Sequence, residues 1–416
     1  MSRHRSQNGV SVLFYVQDGT ALEDDLNGIC RVTKCTVRSL DKLFERETTA
    51  ELIAVHTQES NEQATKKLLN ELTFGTKMCR NEELPCSQGN KRIFSFMNAA
   101  DQSDEFTGLG AVYMFKSNET RLEIWNFKDK QFFPVPPNKN PEAAESYCTA
   151  VTSNTSFDEQ CLKYCVDCKQ FPAALFPSGT PSRKGFMRTR WRINGLVLEM
   201  VNIHLFNDSC NLLSLKEHPS VFARFRAAGL KWTLETIQAD QNENQHLVIF
   251  GDFNFRLSLP LYVERLLSAQ NAPFNSSVRL VEDNATSTID QADTKFNRGD
   301  IVIGERQFHV LHDDRLTWSN FEPFLPLDEE TLVFSDQLKE LPIKFPPSYP
   351  FRDGAGFAHE YDATQNVFLL GTTRPLHDVV RFARKGCGSR GSQTRLRLLP
   401  SCVGLEISVP NHLQTV

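Results

Sequence analysis

A layered α/β sandwich is the fold this chain predicts, on three observations. Short apolar runs of strand type alternate with helical stretches along the whole chain, with no fixed-period repeat. Some of these runs are continuously apolar, as in Leu247-Val248-Ile249-Phe250, the pattern of a strand covered on both faces. Polar side chains collect directly after such runs, where strand ends open to solvent. Many short strands with interspersed helices fit stacked layers better than a barrel.

Taken in order, Val10 to Val16 alternates apolar and polar residues and reads as a first strand, not a signal peptide. Leu52 to His56 is a second strand, running into Thr57-Gln58-Glu59. Residues 63–74 place Ala64, Leu68, Leu69 and Leu72 at helical spacing. Leu109 to Phe115 and Glu123 to Phe127 predict a pair of neighbouring strands bridged by Asn118-Glu119. Residues 134–141 and 171–181 read as loops. Residues 219–239 predict a helix whose buried stripe is Val221, Phe225, Ala228 and Trp232. Residues 284–300 turn polar and read as a surface insertion.

Composition narrows the classes of function. At 416 residues, 40% hydrophobic and 23% charged, the chain is of globular type. Its 46 basic residues against 51 acidic ones give a net charge of −5, which argues against a general nucleic-acid binder. No apolar run approaches the roughly 20 residues of a membrane span. Eleven cysteines without a secretory signal point to reduced thiols and a cytoplasmic location, with peripheral membrane association left open. Cys161, Cys165 and Cys168 have the spacing of half a metal site, but no histidine or second pair lies nearby, so zinc is the lesser reading.

The chemistry concentrates at three strand ends. Gly251 ends an apolar run and lets the chain turn. Asp252, Asn254 and Arg256 then alternate with Phe253 and Phe255, which sends the polar set one way and the rings into the core. A carboxylate that can take a proton from water, beside an amide that can orient it, suits phosphate-ester hydrolysis. Asn202 and His204 share a face at the end of a second apolar strand, where an imidazole can donate to a phosphoryl oxygen. Glu59, after a third strand, has the placement of a Mg²⁺ ligand. Upstream, a period of two puts Lys184, Arg188, Arg190 and Arg192 on one face of a strand. Four like charges need relief, either from a multiply phosphorylated ligand or from solvent at an edge strand.

Together these residues resemble the DNase I-like endonuclease/exonuclease/phosphatase superfamily, and most closely its type I inositol-polyphosphate 5-phosphatases. The stretches that carry the resemblance are Arg183-Lys-Gly-Phe-Met-Arg-Thr-Arg-Trp191, Val201-Asn-Ile-His-Leu-Phe206, Pro219-Ser-Val-Phe222, residues 251–257 and Phe345-Pro-Pro-Ser-Tyr-Pro-Phe351. The last separates inositol phosphatases from the superfamily's nucleases. The resemblance implies a four-layer α/β sandwich and a 5-phosphatase-like domain over residues 10–364. It implies that Glu59 binds Mg²⁺, that Asp252 is general base with Asn254 holding it or the phosphate, and that His204, supported by Asn202, meets phosphate oxygens. Lys184, Arg188, Arg190, Arg226 and Arg256 would meet the other phosphates or brace the site. Substrates would be soluble inositol polyphosphates such as inositol 1,4,5-trisphosphate, with phosphoinositide head groups an open alternative and nucleic acid excluded. Where the family usually has asparagine on the first strand, this chain has Gln17.

Past Thr364 the family's Arg-x-Pro-Ala-Trp-Cys-Asp-Arg and Gly-Asp-His elements are absent, and the C-terminal prenylation signal of type I members is absent too. Residues 365–416 therefore read as a divergent basic tail outside a sandwich that lacks its last strands. Two explanations follow: a catalytically impaired isoform or mis-joined gene product that binds without turnover, or a diverged member that rebuilds its site from His377-Asp378.

Overall fold

A computed structural model describes residues 9–18, 52–58, 92–98, 108–115, 120–136, 145–148, 162, 164–179, 183–240, 245–268, 277–281, 300–306, 308–310, 315–316, 322–340, 361–362, 367–369, 380–385, 394–399 and 402–410. Two sheets form its centre. The first runs from β1 (Gly9–Asp18) through β2 (Leu52–Gln58), β4 (Leu109–Phe115) and β3 (Arg92–Asn98) to β7 (Glu145–Cys148). The second runs from β11 (Gln245–Asp252) through β10 (Leu196–His204), β9 (Gly185–Ile193) and β5 (Leu122–Asn126) to β6 (Gln131–Val135). A short β8 (Asp167–Gln170) also pairs with β9. This is the layered α/β sandwich expected.

The layers hold together for an apolar reason. Strands β2 and β4 are buried at every residue, which is why Leu52 to Val55 and all of β4 are continuously apolar instead of alternating, while His56, Thr57 and Gln58 at the end of β2 are buried polar groups. Between the sheets Trp191 of β9, fully buried, meets Phe94, Tyr113 and Phe115 of the first sheet at centroid distances of 4.9, 5.6 and 5.1 Å. Edge-on and tilted contacts of this kind add roughly 0.5–1.5 kcal/mol per pair beyond area burial.

Helix α1 (Asn211–Lys216) is followed by α2 (Val221–Gln238) and α3 (Leu259–Ser268). The Ser220 hydroxyl caps α2 by accepting from the Ala223 N–H at 3.1 Å. Leu230, Leu234 and Ile237 lay α2 on Val201, Ile203, Leu247 and Ile249 of the second sheet. Its buried stripe is Phe222, Ala223, Arg226, Gly229, Leu230, Thr233, Leu234 and Ile237, so the expected stripe through Val221 and Phe225 is rotated to the flank. Two residues cause the shift. Gly229 admits Leu205 and Phe206, which would stand 3.2 Å from an added Cβ, and Arg226 is buried because carboxylates meet it.

Two further expectations are corrected. Strands β4 and β5 are not neighbours: β4 pairs with β2 and β3, while β5 pairs with β6 and β9, so the chain crosses between sheets there. Nor are the sheets without late strands. Residues 380–385 pair antiparallel with β11, and residues 402–410 pair with β1 and with residues 394–399. Apolar pieces of the tail, such as Val367–Leu369, are strands as well. The expected helix at residues 63–74 lies outside the described residues, as does most of the polar stretch 284–300.

A hydrogen-bonded chain crosses the apolar core. Trp191 Nε1 donates to Thr189 Oγ1 at 3.1 Å, Thr189 to the Tyr113 hydroxyl at 2.8 Å, and that hydroxyl reaches His56 Nε2 at 3.0 Å. His56 Nδ1 lies 3.0 Å from the Phe250 carbonyl oxygen. With Tyr113 donating, the imidazole is neutral with its proton on Nδ1, and every link is satisfied. Burial drives the His56 pKa down from 6.5 to about 3, with the Phe250 hydrogen bond opposing.

The unfolded chain therefore takes up a proton that the fold refuses. This stabilisation is complete above pH 6.5 and is lost as pH falls towards 3. We expect wild type to lose about 2 kcal/mol more than His56→Asn between pH 6.5 and 4.5, measured by urea unfolding. Equal losses would contradict a neutral buried imidazole.

Candidate active site

Strand register builds the site. Parallel pairing of β10 with β11 sets His204 opposite Asp252, and antiparallel pairing with β9 sets His204 opposite Gly185. Lys184, one residue before that strand, therefore arrives at the same end. His204 Nε2 stands 3.3 Å from Asp252 Oδ2, and Lys184 Nζ contacts the same imidazole nitrogen. Lys184 and His204 are buried, and Asp252 keeps 14% of its side chain exposed.

Local backbone explains the motif around Asp252. A Cβ on Gly251 would fall 2.3 Å from the Ile203 carbonyl oxygen and 2.8 Å from its nitrogen, so only glycine lets β11 approach β10 so closely. Asn254 has φ of 51°, a left-handed conformation that asparagine tolerates better than most residues. In that turn the Asn254 N–H donates to Asp252 Oδ1 at 2.9 Å and its side-chain amide donates to the Leu205 carbonyl at 3.0 Å. Burial pushes the Asp252 carboxyl up. The His204 hydrogen bond and charge, the Lys184 charge and the Asn254 N–H outweigh that and hold it below the ordinary carboxylate range. The result is an anionic carboxylate with one oxygen fixed by backbone and the other facing an imidazole.

Asn202 has another task. Its amide donates to the carbonyl oxygens of Thr57 at 3.0 Å and Gly110 at 2.8 Å, and its oxygen accepts from Gln58 Nε2 at 2.6 Å. It is fully buried and bridges β10 to β2 and β4 in the opposite sheet. It supports the site instead of facing it.

The basic face upstream is relieved from within the protein. Arg188 meets Glu199 at 3.1 Å, Asp167 at 2.7 Å and Asp240 at 2.8 Å, and Arg190 meets Glu199 and Asp240 at 3.1 Å. Phe127 and Trp125 cover the two guanidinium groups at 4.7 and 4.9 Å. Arg192 pairs with Glu123 at 2.8 Å. Only Lys184 of the four cations reaches His204, because it precedes the strand proper. Of the two roles expected for Arg188 and Arg190, meeting phosphates or bracing the site, these internal ion pairs fit bracing.

Arg226 and Arg256 likewise meet carboxylates. Arg226 lies 2.5 Å from Asp208 and takes Glu330 in a two-pronged grip at 2.6 and 2.7 Å, while Arg256 Nε lies 3.5 Å from Asp208. Asp208 and Glu330 were not foreseen. Asp208 follows His204 by four residues, as Arg256 follows Asp252, a parallel visible in sequence. Glu330 carries no such signal, standing 104 residues from Arg226. A cavity of about 350 Å³ lined by His218, Ser220, Arg256 and Leu332 abuts this group. Asp252, His204 and Lys184 are not among its lining.

Glu59, the expected Mg²⁺ ligand, lies outside the described residues, as do Cys161 and residues 345–351. The described donors around the turn are the carboxylate and amide oxygens of Asp252 and Asn254, hard ligands of the kind Mg²⁺ takes together with water and substrate oxygens. Among the described residues no group of three or more His, Cys, Asp or Glu side chains could hold a metal. Cys165 and Cys168 are free thiols, and burial pushes Cys168 up to about 12. No described helix is long and apolar enough to cross a membrane.

Fold and site together define an α/β sandwich with an ionised carboxylate, an imidazole and a lysine at adjoining strand ends. Known proteins narrow the class. The chain is 30% identical over 275 residues to inositol polyphosphate-5-phosphatase A of Canis lupus familiaris and, at the same identity and span, to that of Homo sapiens. The match takes in 66% of this chain, and the chain spans 62% of the length of those relatives. A probable type I inositol 1,4,5-trisphosphate 5-phosphatase of Caenorhabditis elegans is 26% identical over 279 residues, 60% of this chain and 64% of that one. Among solved structures, the inositol polyphosphate 5-phosphatase domain of a synaptojanin, crystallised with inositol (1,4)-bisphosphate and calcium, is similar at 12% identity with a TM-score of 0.44, over 97% of this chain and 85% of that one. No family model matches the chain.

Because Arg188 neutralises buried acids, Arg188→Ala should leave Glu199 underpaired at full burial and cost about 3–5 kcal/mol of stability by urea unfolding. A loss below about 1 kcal/mol, with trisphosphate binding weakened instead, would return Arg188 to the binding surface.

Proposed function

We propose that this chain hydrolyses the 5-phosphate of inositol polyphosphates, with inositol 1,4,5-trisphosphate the expected substrate. The observation that supports the reading most is the convergence of Lys184, His204 and Asp252 at three adjoining strand ends. Similarity to the 5-phosphatases named above supplies the substrate class. Phosphoinositide head groups present the same phosphates and are the open extension. Removing the 5-phosphate would end a calcium-release signal.

The chain's residues divide the work as their chemistry dictates. Asp252, held anionic, accepts a proton from the attacking water, and the Asn254 N–H fixes the carboxylate's orientation. Lys184 and His204 offer N–H donors to phosphoryl oxygens, where negative charge builds in the transition state. Mg²⁺ held by Glu59 would polarise the scissile phosphate. Asn202 fixes β10 against β2 and so sets where His204 stands.

A second reading, binding without turnover, draws on the absent Trp-Cys-Asp-Arg and Asp-His elements. Against it stands the pairing of residues 380–385 with β11, which sets Val380 opposite Asp252 and brings the chain beyond Thr364 to the edge of the site.

Phosphate release from inositol 1,4,5-trisphosphate in Mg²⁺, with ³¹P NMR identifying the phosphate lost, decides between the two. We expect loss of the 5-phosphate and a fall of roughly 10²–10⁴-fold in Asp252→Asn. Saturable binding without release would establish the second reading. Release unaffected by Asp252→Asn would remove Asp252 from the site.

A further inference from the structure

We infer that Asp208 and Glu330 are positioning residues, which with Arg226 lock the loop after His204 to the loop after Asp252. This rests on the hydrolase reading of Lys184, His204 and Asp252.

Each of those loops is gripped at its backbone by a charged side chain. Arg226 Nη1 donates to the Phe206 carbonyl at 3.0 Å, two residues past His204. Glu330 Oε1 accepts from the Arg256 N–H at 3.1 Å, four residues past Asp252. The two grips are one device, because Glu330 also accepts from Arg226 at both prongs of the guanidinium. Asp208 closes the circuit from the first loop. Its Oδ1 faces both Arg226 and Arg256, and its Oδ2 accepts from the Ser214 hydroxyl at 2.6 Å, which ties in α1.

Charge and burial say what such a circuit is good for. Two cations and two anions cancel, with Arg226 wholly buried and Asp208 nearly so. Three buried charges and the part-buried Glu330 are a weak means of gaining stability, since apolar side chains of similar volume often do as well. What they supply is direction. A planar guanidinium gripped at both prongs, with a third nitrogen on a carbonyl, admits one arrangement of its neighbours. The neighbours here are the two loops that emerge from His204 and Asp252. Apolar packing by Phe253 and Phe255 could slide, and this cannot.

The test compares wild type with Glu330→Gln, which keeps the volume and removes the charge and the fork. We expect kcat per folded molecule to fall about 10–100-fold with KM within about twofold. In ¹H–¹⁵N NMR the Asn254 amide proton, which donates to Asp252 Oδ1, should move upfield in the folded variant as the turn loosens. This readout needs no substrate. If wild type fails to hydrolyse inositol 1,4,5-trisphosphate, the functional reading falls and the amide shift alone decides the positioning role. An unchanged kcat per folded molecule with an unchanged amide shift would reduce the cluster to a structural part and overturn the inference. A raised KM at constant kcat would overturn it too, by making these groups substrate ligands. Should Glu330→Gln not fold, Ser214→Ala removes one hydrogen bond from Asp208, and the same readouts apply at roughly 2–10-fold.

Discussion

One amide holds the two sheets in the relation that the site requires. Asn202 is fully buried and spends both N–H groups and its oxygen on Thr57, Gly110 and Gln58, all in the facing sheet. Apolar layers alone can slide, because dispersion and burial are indifferent to small offsets. An amide with three partners is not indifferent. Losing it would take a donor from two buried carbonyls and an acceptor from Gln58, at roughly 1–3 kcal/mol for each buried group left unpaired. Asn202 lies two residues before His204, and Gln58 is the residue before Glu59 in sequence. The chain His56–Tyr113–Thr189–Trp191 is a second polar link between the same two sheets.

Around that frame the cations separate by purpose. Arg188 and Arg190 close on Glu199, Asp167 and Asp240 under a cover of aromatic rings, and Arg226 and Arg256 close on Asp208 and Glu330. Lys184 alone of the expected phosphate contacts lies against His204, beside Asp252. A flexible ammonium at a strand end can follow a moving phosphoryl group, whereas the guanidinium groups are fixed in forks. The chain thus keeps a small reacting centre and puts most of its buried charge into holding that centre in place.

How much of this the sequence disclosed depends on the range of the interactions. The strand ends at His204 and Asp252 were legible because hydrophobic period and Gly-Asp-x-Asn spacing are local. Gly251 read as a turn but lies inside β11, with the turn at Asn254, and the close approach to Ile203 was not legible, since it joins two strands. The burial of Arg226, and with it the rotation of α2, depends on Glu330 far along the chain. Arg188 likewise owes its burial to Asp240, 52 residues away. A period of two shows that cations share a face and is silent on which carboxylates will come to meet them. Strands β4 and β5 read as neighbours because they are adjacent in sequence, and only pairing with β9 draws β5 into the other sheet.

The claim that a polar bridge between the sheets sets the strand ends is tested most directly by a double-mutant cycle. Gln58→Ala, Asn202→Ala and the double variant are compared with wild type by urea unfolding. A bridge of the kind described gives a coupling of about 1–3 kcal/mol between the two positions. Additivity within about 0.3 kcal/mol would mean that the sheets are aligned by apolar packing alone, and that Asn202 does not hold them.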